Sequence, residues 1–183
     1  IALADGTGAA SNYSLSSAEM NVTKRVLSSS GSRQYDGTTN ASNSNMTLSN
    51  LIGSETLVFS GTGKLANANV ASNKSVTLNS LSIADGSNGG LAANYTLSGG
   101  IHQLTVNKKN LSVSSSRQYD GTPTIDGSSM NLSGVVTGES LNVSGDIITN
   151  SANVGTYSTS SSNLSCSDIN SCSSGKYKVT NRA

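Results

Sequence analysis

The hexapeptide RQYDGT occurs twice in this chain, at residues 33–38 and again at residues 117–122. An Asp-Gly pair is a strong turn signal, because glycine accepts a positive φ and the aspartate can accept hydrogen bonds from the backbone N–H groups that follow it. The tyrosine before the pair brings about 150–250 Å² of mostly apolar surface and a hydroxyl that needs a partner. Each copy is therefore expected to be a structural turn with a core-anchoring tyrosine. The residues of these turns are Tyr35, Asp36, Gly37, Tyr119, Asp120 and Gly121.

The two hexapeptides belong to a longer internal repeat. Glu55 and Glu139 are separated by the same interval as Tyr35 and Tyr119, and we call this interval the repeat spacing. A second tyrosine series, Tyr13, Tyr95 and Tyr177, is evenly spaced at a slightly shorter interval. Repetition of this kind predicts an array of small structural units.

The repeat divides the chain into three predicted segments. Residues 1–24 are expected to be the tail strand of a preceding repeat, so that the sequence is a fragment of an array. Residues 25–107 form one predicted repeat domain, and residues 108–183 form a second one that carries a cysteine loop. The stretch TLSGGIHQLTVNKKNLSVSSS joins the two domains without a long flexible linker, which predicts a stiff rod.

The composition allows only a thin core. Of the 183 residues, 34% are hydrophobic and 4% are aromatic, which is typical of a turn-rich all-β protein or of disorder. Alternating stretches such as IHQLTV at residues 101–106 favour the folded alternative. The predicted fold class is mostly β, as tandem small β-rich repeat domains. Each domain is expected to be β-grasp-like, or alternatively an Ig-like sandwich, with at most one short helical turn.

The charge pattern argues against several classes of partner. The net charge is +1 and only 11% of residues are charged, with no dense basic face that could bind nucleic acid. No apolar run approaches the roughly 18 residues of a membrane span. The first ten residues lack the features of a signal peptide, so any targeting signal is expected outside this sequence.

No residue pattern predicts an enzyme. The single histidine, His102, lies in an alternating stretch without a carboxylate nearby in sequence, and we expect it at a surface or interface. No serine occupies a G-x-S-x-G motif. Glu55 and Glu139, if buried beside a lysine such as Lys24 or Lys108 and an asparagine, would suit the promotion of an intramolecular amide crosslink. Duplication alone also explains the recurrence of these residues. We expect no catalytic residue, no metal site and no cofactor.

Cys166 and Cys172 are the two cysteines of the chain, in the segment CSDINSC. They are predicted to close a small disulfide ring, which fits an oxidising compartment; two unpaired thiols are the alternative. A metal site is disfavoured, because two thiolates and one distant histidine do not supply four ligands.

Several motifs in a fixed order resemble the YDG domain and related β-grasp-like adhesin modules. They are YDGT, LSGVVTGESLNVSG at residues 132–145, ANVGTYS at residues 152–158, and a closing tyrosine strand. Such domains form arrays in large secreted bacterial surface proteins of the filamentous haemagglutinin type. The resemblance implies two-partner secretion to the Gram-negative outer surface, a role in attachment or biofilm formation, and no transferable catalytic residue.

Two functional hypotheses follow from these observations. The first is a structural or adhesive segment, whose partners are the neighbouring repeats of the same chain. The alternative is a carbohydrate-binding module for a host glycan or matrix polysaccharide. Tyr157 is the candidate ligand contact, because the residue at the repeat-equivalent position is Asn73. A repeated role in core packing therefore does not explain this tyrosine.

Two further expectations concern the surface. Residues 1–23 could add as a strand to an open sheet edge of another molecule and cause self-association. Ten Asn-x-Ser/Thr sequons are candidate glycosylation sites. They are Asn12, Asn21, Asn40, Asn45, Asn73, Asn94, Asn110, Asn131, Asn142 and Asn163.

Overall fold

The structure, a computed structural model, describes residues 2–17, 19–157, 165–167 and 177–181. Its strands are β1 Arg25–Val26, β2 Ser28–Gln34, β3 Asn40–Ser42, β4 Met46–Ser49, β5 Leu57–Ser60, β6 Thr62–Leu65, β7 Ala71–Thr77, β8 Ser82–Asp85, β9 Tyr95–Thr96, β10 His102–Asn107, β11 Lys109–Ser114, β12 Thr124–Ile125, β13 Asn131–Ser133, β14 Asn142–Ser144, β15 Ile147–Ile148, β16 Ser165–Ser167 and β17 Tyr177–Asn181. Single 3-10 turns lie at Ala10–Asn12, Asn43–Asn45, Ala92–Asn94 and Gly127–Ser129. The predicted fold class, mostly β, is confirmed. Residues 25–107 hold two of these turns, one more than expected.

The first half of the chain is organised around a six-stranded sheet with the order β3-β6-β7-β10-β2-β4. Strand β10 lies inside this sheet, parallel to β2 on one side and antiparallel to β7 on the other. Its residues alternate between buried and half-buried until the final exposed Asn107, as the sequence pattern IHQLTV predicts. Leu104 and Val106 are buried in the core of the domain.

The core is small but continuous. Its buried hydrophobic members are Leu27, Tyr35, Ala41, Met46, Leu65, Val76, Leu81, Tyr95, Leu97, Leu104, Val106 and Leu111. Leu111 lies in β11, beyond the end of the first predicted repeat domain, so the apolar cluster crosses the boundary between the two halves.

Strand pairings in the second half repeat those of the first at matching positions. Strand β2 pairs with β4 through Ser28 and Ser49, and at the repeat spacing β11 pairs with β13 through Ser112 and Ser133. Two more pairings recur, with Asn40 and Lys64 matched by Thr124 and Ile148, and Arg25 and Tyr95 matched by Lys109 and Tyr177. The boundaries at residues 107 and 108 stay a prediction.

The two halves differ in where their first long strand ends and in whether a counterpart of β10 is present. Strand β2 continues to Gln34, whereas β11 ends at Ser114, and residues 115–118 form no strand. Within the described residues of the second half, no strand corresponds to β10.

The first described residues differ from the expected tail strand. Residues 2–17 and 19–24 hold one 3-10 turn and no strand. The Asp5 carboxylate accepts a hydrogen bond from the Ala10 N–H at 2.6 Å, as Asp85 does from Ala92 at 2.8 Å. The loop that occurs in the first half therefore also forms here, but without the strand that follows it. That strand in the first half is β9, which is paired with β1, and an isolated strand is not stable without such a partner.

No helix among the described residues has the length and apolar character required to cross a membrane.

Candidate functional site

The first YDG turn is locked by its own side chains. Arg33 Nη1 lies 2.5 Å from the Asp36 carboxylate, and Arg33 Nη2 donates to the Thr38 carbonyl at 2.6 Å. The same carboxylate accepts hydrogen bonds from the Thr38 N–H at 2.8 Å and from its hydroxyl at 2.9 Å. Gly37 has a φ of 77°, which explains why glycine follows the aspartate. All of these contacts lie within the hexapeptide.

The second YDG turn repeats this arrangement. Arg117 contacts the Asp120 carboxylate and donates to the Thr122 carbonyl, and Asp120 accepts from the Thr122 N–H at 2.9 Å. This backbone hydrogen bond is the largest of the effects that lower the pKa of Asp120. Gly121 has a φ of 79°. The tyrosine, aspartate and glycine predict the turn from the sequence. The role of the arginine was not predicted, although this residue is part of the repeated hexapeptide.

Tyr35 is the buried anchor that the sequence predicts, with only 2% of its surface exposed. Its N–H donates to the carbonyl of Asn107 at 2.8 Å, which ties the turn to the end of β10. Its hydroxyl donates to Glu139 Oε1, a residue of the second half. Burial, and next the hydrogen bond to Glu139, raise the pKa of Tyr35 to about 12.

A loop of the second half packs against this turn. A Cβ added at Gly37 would lie 3.0 Å from Val136 Cγ1 and 3.9 Å from Glu139 Oε1. Val135 and Val136 also pack against the apolar cluster that contains Tyr35. We call the contact between residues 35–37 and residues 135–139 the junction. The junction combines an apolar contact with a hydrogen bond between a tyrosine hydroxyl and a carboxylate.

The equivalent glutamate of the first half has a tyrosine partner as well. The Tyr95 hydroxyl donates to Glu55 and accepts a hydrogen bond from the Ile52 N–H at 3.2 Å. The hydrogen bond to Glu55 is the largest of the effects that raise the pKa of Tyr95. Glu55 and Glu139 thus each accept a hydrogen bond from a tyrosine hydroxyl, but Glu55 does so within the first half and Glu139 across the junction.

A family model described as the YDG domain matches residues 18–105. Residues 18–105 form a YDG domain. The expectation of a YDG-type domain is thus confirmed, and the matched range includes the first YDG turn and most of β10. No curated protein and no solved structure matches the chain.

Outside this YDG domain, the second turn lacks the buried anchor that was expected. Tyr119 is 66% exposed, whereas Tyr35 is buried in the YDG domain. In the YDG domain the end of β10 holds the tyrosine backbone, and no strand of the described second half corresponds to β10. The prediction that Tyr119 is a core anchor is therefore wrong for this structure, while the turn around Asp120 and Gly121 forms as predicted.

A cavity of about 450 Å³ lies beside Tyr119. Two segments, residues 113–119 and residues 151–157, form its walls, with Ile125, Met130 and Ile147 among the other lining residues. Tyr157, the candidate ligand contact, lines this cavity, is half-buried and donates a hydrogen bond to the Asn153 carbonyl. Its role in ligand binding stays a prediction.

His102 is buried inside the YDG domain, so the expectation of a histidine at a surface or interface is wrong. Nε2 lies 2.8 Å from the Leu97 carbonyl, which can only accept, so this nitrogen carries the proton. In the neutral ring, Nδ1 is then the acceptor for the Ser29 hydroxyl, which lies 2.8 Å away. The alternation of β10 places residue 102 on the same buried face as Leu104 and Val106. Both ring nitrogens hold neighbouring strands and loops together.

The remaining candidate residues are dispersed. Nine of the ten sequon asparagines lie in the described residues; eight are exposed and Asn45 is half-buried, while Asn163 lies outside the described part. Cys166 lies in β16 and Cys172 lies outside the described residues, so the disulfide stays a prediction. Among the described residues, no three His, Cys, Asp or Glu side chains are grouped to hold a metal ion.

Proposed function

We propose that this chain is a structural, adhesive segment of a large secreted bacterial surface adhesin. In this role, YDG-type repeats form a stalk that supports attachment or biofilm formation. The YDG domain at residues 18–105 and the repeated strand pairings support a modular array. Secretion through a two-partner pathway to the Gram-negative outer surface is part of the proposal and rests on the resemblance described above.

The junction is the observation that carries this proposal. A single residue, Lys108, separates β10 from β11, so the strand that ends one half leads directly into the next. Beside this connection, Tyr35 donates to Glu139 and Val136 packs near Gly37. A covalent connection and a second contact beside it resist bending better than either alone, which suits a stalk that transmits force.

The chemistry of the junction also suits an extracellular rod. The contact is made by apolar side chains and a tyrosine–carboxylate hydrogen bond, not by an exposed ion pair, so salt screening should affect it little. With 11% charged residues, the surface is polar mainly through Ser, Thr and Asn. We therefore expect the same stiffness at low and high ionic strength.

Stiffness can be measured by electron–electron resonance between two spin labels. Val58 and Ile148 are exposed, lie in different halves, and can be replaced with Cys for labelling in a chain that has Ser at Cys166 and Cys172. A narrow distance distribution that does not change with salt supports the stalk. A broad distribution at every salt concentration would show that the two halves move independently and would contradict it.

The cavity beside Tyr119 favours one alternative, a carbohydrate-binding module. Tyr119 and Tyr157 both line the cavity, together with the polar side chains of Gln118 and Asn153. Aromatic rings with nearby amides are common in sugar sites. Glycan and polysaccharide arrays test this alternative with the native chain and a Tyr157→Ala variant. Specific binding that the variant loses would favour the carbohydrate-binding function, whereas an array without signal would favour the stalk.

A further inference from the structure

The turn after strand β8 contains the one Asn-Gly pair of the sequence, at Asn88 and Gly89. Both residues are exposed, and their φ angles are positive, at 56° and 85°. The Gly90 N–H donates to the Ser87 carbonyl at 3.1 Å, which closes a tight turn with the Asn-Gly pair at its tip. We call residues 86–90 the Asn-Gly turn.

The Asn-Gly turn is attached to the residues that precede β5. The Thr56 N–H donates to the Ser87 carbonyl at 3.1 Å, and the Ser87 N–H donates to the Thr56 hydroxyl oxygen at 2.8 Å. A Cβ added at Gly90 would lie 1.9 Å from the Thr56 carbonyl oxygen, so the two backbones are in close contact. The Asn88 side-chain amide completes the attachment by donating to the Ser54 carbonyl at 3.1 Å.

The backbone nitrogen of Gly89 gives this turn its reactivity. An asparagine side chain cyclises when the backbone nitrogen of the next residue attacks its Cγ, and glycine, which has no side chain, hinders this attack least. Among the described residues, the Gly89 N–H has no hydrogen-bond partner, and a Cβ at this position would meet nothing within 4 Å. The nitrogen that follows Asn88 is therefore unpaired and lies in an open position.

A second asparagine of the YDG domain provides an internal comparison. Asn79 is also exposed, has a φ of 47°, and donates from its side-chain amide to the Thr62 carbonyl at 3.1 Å. It is followed by Ser80, whose N–H donates to the same carbonyl at 3.2 Å. The two asparagines thus share a backbone conformation and a type of side-chain contact. They differ because only Asn88 is followed by glycine with an unpaired N–H.

The related loop near the start of the described residues forms without an Asn-Gly pair. Asp5 accepts a hydrogen bond from the N–H of Ala10, five residues later, whereas Asp85 accepts from the N–H of Ala92, seven residues later. The loop of the YDG domain is therefore two residues longer and keeps the same aspartate contact. This contact does not require the Asn-Gly pair, so a chemical change at the pair should leave it intact.

We propose that Asn88 is a site of spontaneous deamidation, which releases the Asn-Gly turn from residues 54–56. The Gly89 nitrogen forms a bond to Asn88 Cγ, the bond from Cγ to Nδ2 breaks, and the proton of the Gly89 N–H leaves with Nδ2 as ammonia. Solvent water, the co-reactant, then opens the cyclic imide. Cleavage of the imide bond to Cγ gives aspartate, and cleavage of the bond to the main-chain carbonyl carbon gives isoaspartate.

The carboxylate that this reaction creates does not suit the position of the amide. A carboxylate only accepts hydrogen bonds, so it cannot donate to the Ser54 carbonyl and is repelled by it. The new negative charge also lies next in sequence to a turn that follows Asp85, while Glu55 follows Ser54. Both products should therefore weaken the attachment. The inference does not depend on the stalk function, because the turn and its partners lie within the YDG domain.

Peptide mapping by mass spectrometry tests the reaction in the native chain. The protein is incubated at mildly alkaline pH, and each asparagine is then assayed for conversion to aspartate or isoaspartate. We expect Asn88 to convert at least about tenfold faster than Asn79. An Asn88→Gln chain, which would have to form a larger ring, should release no ammonia from this position. Equal rates at Asn79 and Asn88, or an unchanged Asn88 over an incubation in which the urea-unfolded chain converts fully, would overturn the proposal.

Amide hydrogen exchange tests the release of the turn. An Asn88→Asp chain supplies the aspartate product in pure form. Its Thr56 N–H should exchange at least about tenfold faster than in the native chain, whereas the Ala92 N–H should keep its protection. Thr56→Val removes the hydroxyl that accepts from Ser87, so the turn should open more often and Asn88 should convert at least about threefold faster. Unchanged exchange at Thr56, or an unchanged conversion rate in the Thr56→Val chain, would contradict the proposed release.

Discussion

At the residue scale, the two hexapeptides show which contacts form within the hexapeptide and which depend on distant residues. The arginine, aspartate and threonine of each copy contact one another, and the glycine of each copy has a positive φ. Both turns therefore form alike and could be predicted from sequence. The tyrosine depends on distant residues instead. Tyr35 donates hydrogen bonds to Asn107 and Glu139, whereas Tyr119 is exposed. The same hexapeptide sequence therefore predicted a buried tyrosine correctly for Tyr35 and wrongly for Tyr119.

Replacing the tyrosines with phenylalanine isolates the hydroxyl at the junction. Tyr35→Phe keeps the ring but removes the hydrogen bond to the Glu139 carboxylate, so we expect the free energy of unfolding to fall by about 1.5–3 kcal/mol. Tyr119→Phe is the matched control at an exposed site and should change it by less than about 0.5 kcal/mol. Urea unfolding measures both. Equal effects of the two substitutions would show that the hydrogen bond to Glu139 does not stabilise the protein.

The same tyrosine predicts how stability depends on alkaline pH. Its pKa rises from 10.0 to about 12 in the folded protein, so folding favours the neutral form. The stabilisation is complete below pH 10 and is lost as the pH rises through 12. Urea midpoints measured across this range should fall more steeply for the native chain than for Tyr35→Phe. Parallel curves would mean that Tyr35 does not titrate differently in the folded and unfolded states.

At the element scale, alternation predicted β10 but not its neighbours. The sequence SSSGSRQ of β2 contains no large apolar residue, so no local pattern indicates a strand. It forms one because β4 pairs with residues 28–31 on one side and β10 pairs with residues 29–34 on the other. The burial of His102 was missed for a similar reason, since its partner Ser29 is 73 residues away in sequence.

A glycine in β2 allows a close backbone approach in the first half that the second half does not share. A Cβ on Gly31 would lie 1.8 Å from the Asn45 carbonyl oxygen, so β2 and the 3-10 turn at Asn43–Asn45 approach closely only without a side chain. The equivalent residue of the second half is Ser115, which follows the last residue of β11. This difference is a second physical reason why β11 is shorter than β2.

Gly31→Ser transfers the residue of the second half into the YDG domain. The clash with the Asn45 backbone must push two elements apart, so we expect a loss of about 1–3 kcal/mol in the free energy of unfolding. Gly6→Ser is the control, because a Cβ there meets nothing within 4 Å and should cost less than about 0.5 kcal/mol. Thermal or urea unfolding compares the two. A Gly31→Ser protein as stable as the control would contradict the packing described here.

At the scale of the whole molecule, repetition in sequence predicted duplicated units but not the contact between them. The repeat spacing is visible in sequence, whereas the contact joins Tyr35 to Glu139, which belong to different halves and do not keep that spacing. The repeated hexapeptide therefore has two roles in its first copy. Its arginine and aspartate close a turn, its tyrosine contacts the next unit, and its glycine leaves no room for a Cβ beside Val136.

The two YDG glycines allow these roles to be separated in one experiment. Gly37 and Gly121 have nearly the same positive φ, so alanine at either site should strain the turn by about 1–2 kcal/mol. Only at Gly37 would the new Cβ also meet Val136, at 3.0 Å, and press on the junction. We therefore expect similar losses of stability in unfolding experiments, but a broader distance distribution between labels at positions 58 and 148 for Gly37→Ala alone.

The comparison of Gly37→Ala with Gly121→Ala also decides what holds the two halves in place. If the junction fixes their orientation, the broadening should persist when the Gly37→Ala protein is fully folded, because the strain lies between the halves and not within either core. If both variants give distributions as narrow as the native chain, the short connection through Lys108 is sufficient to hold the halves in place. The YDG turn would then be only a structural element of its own domain.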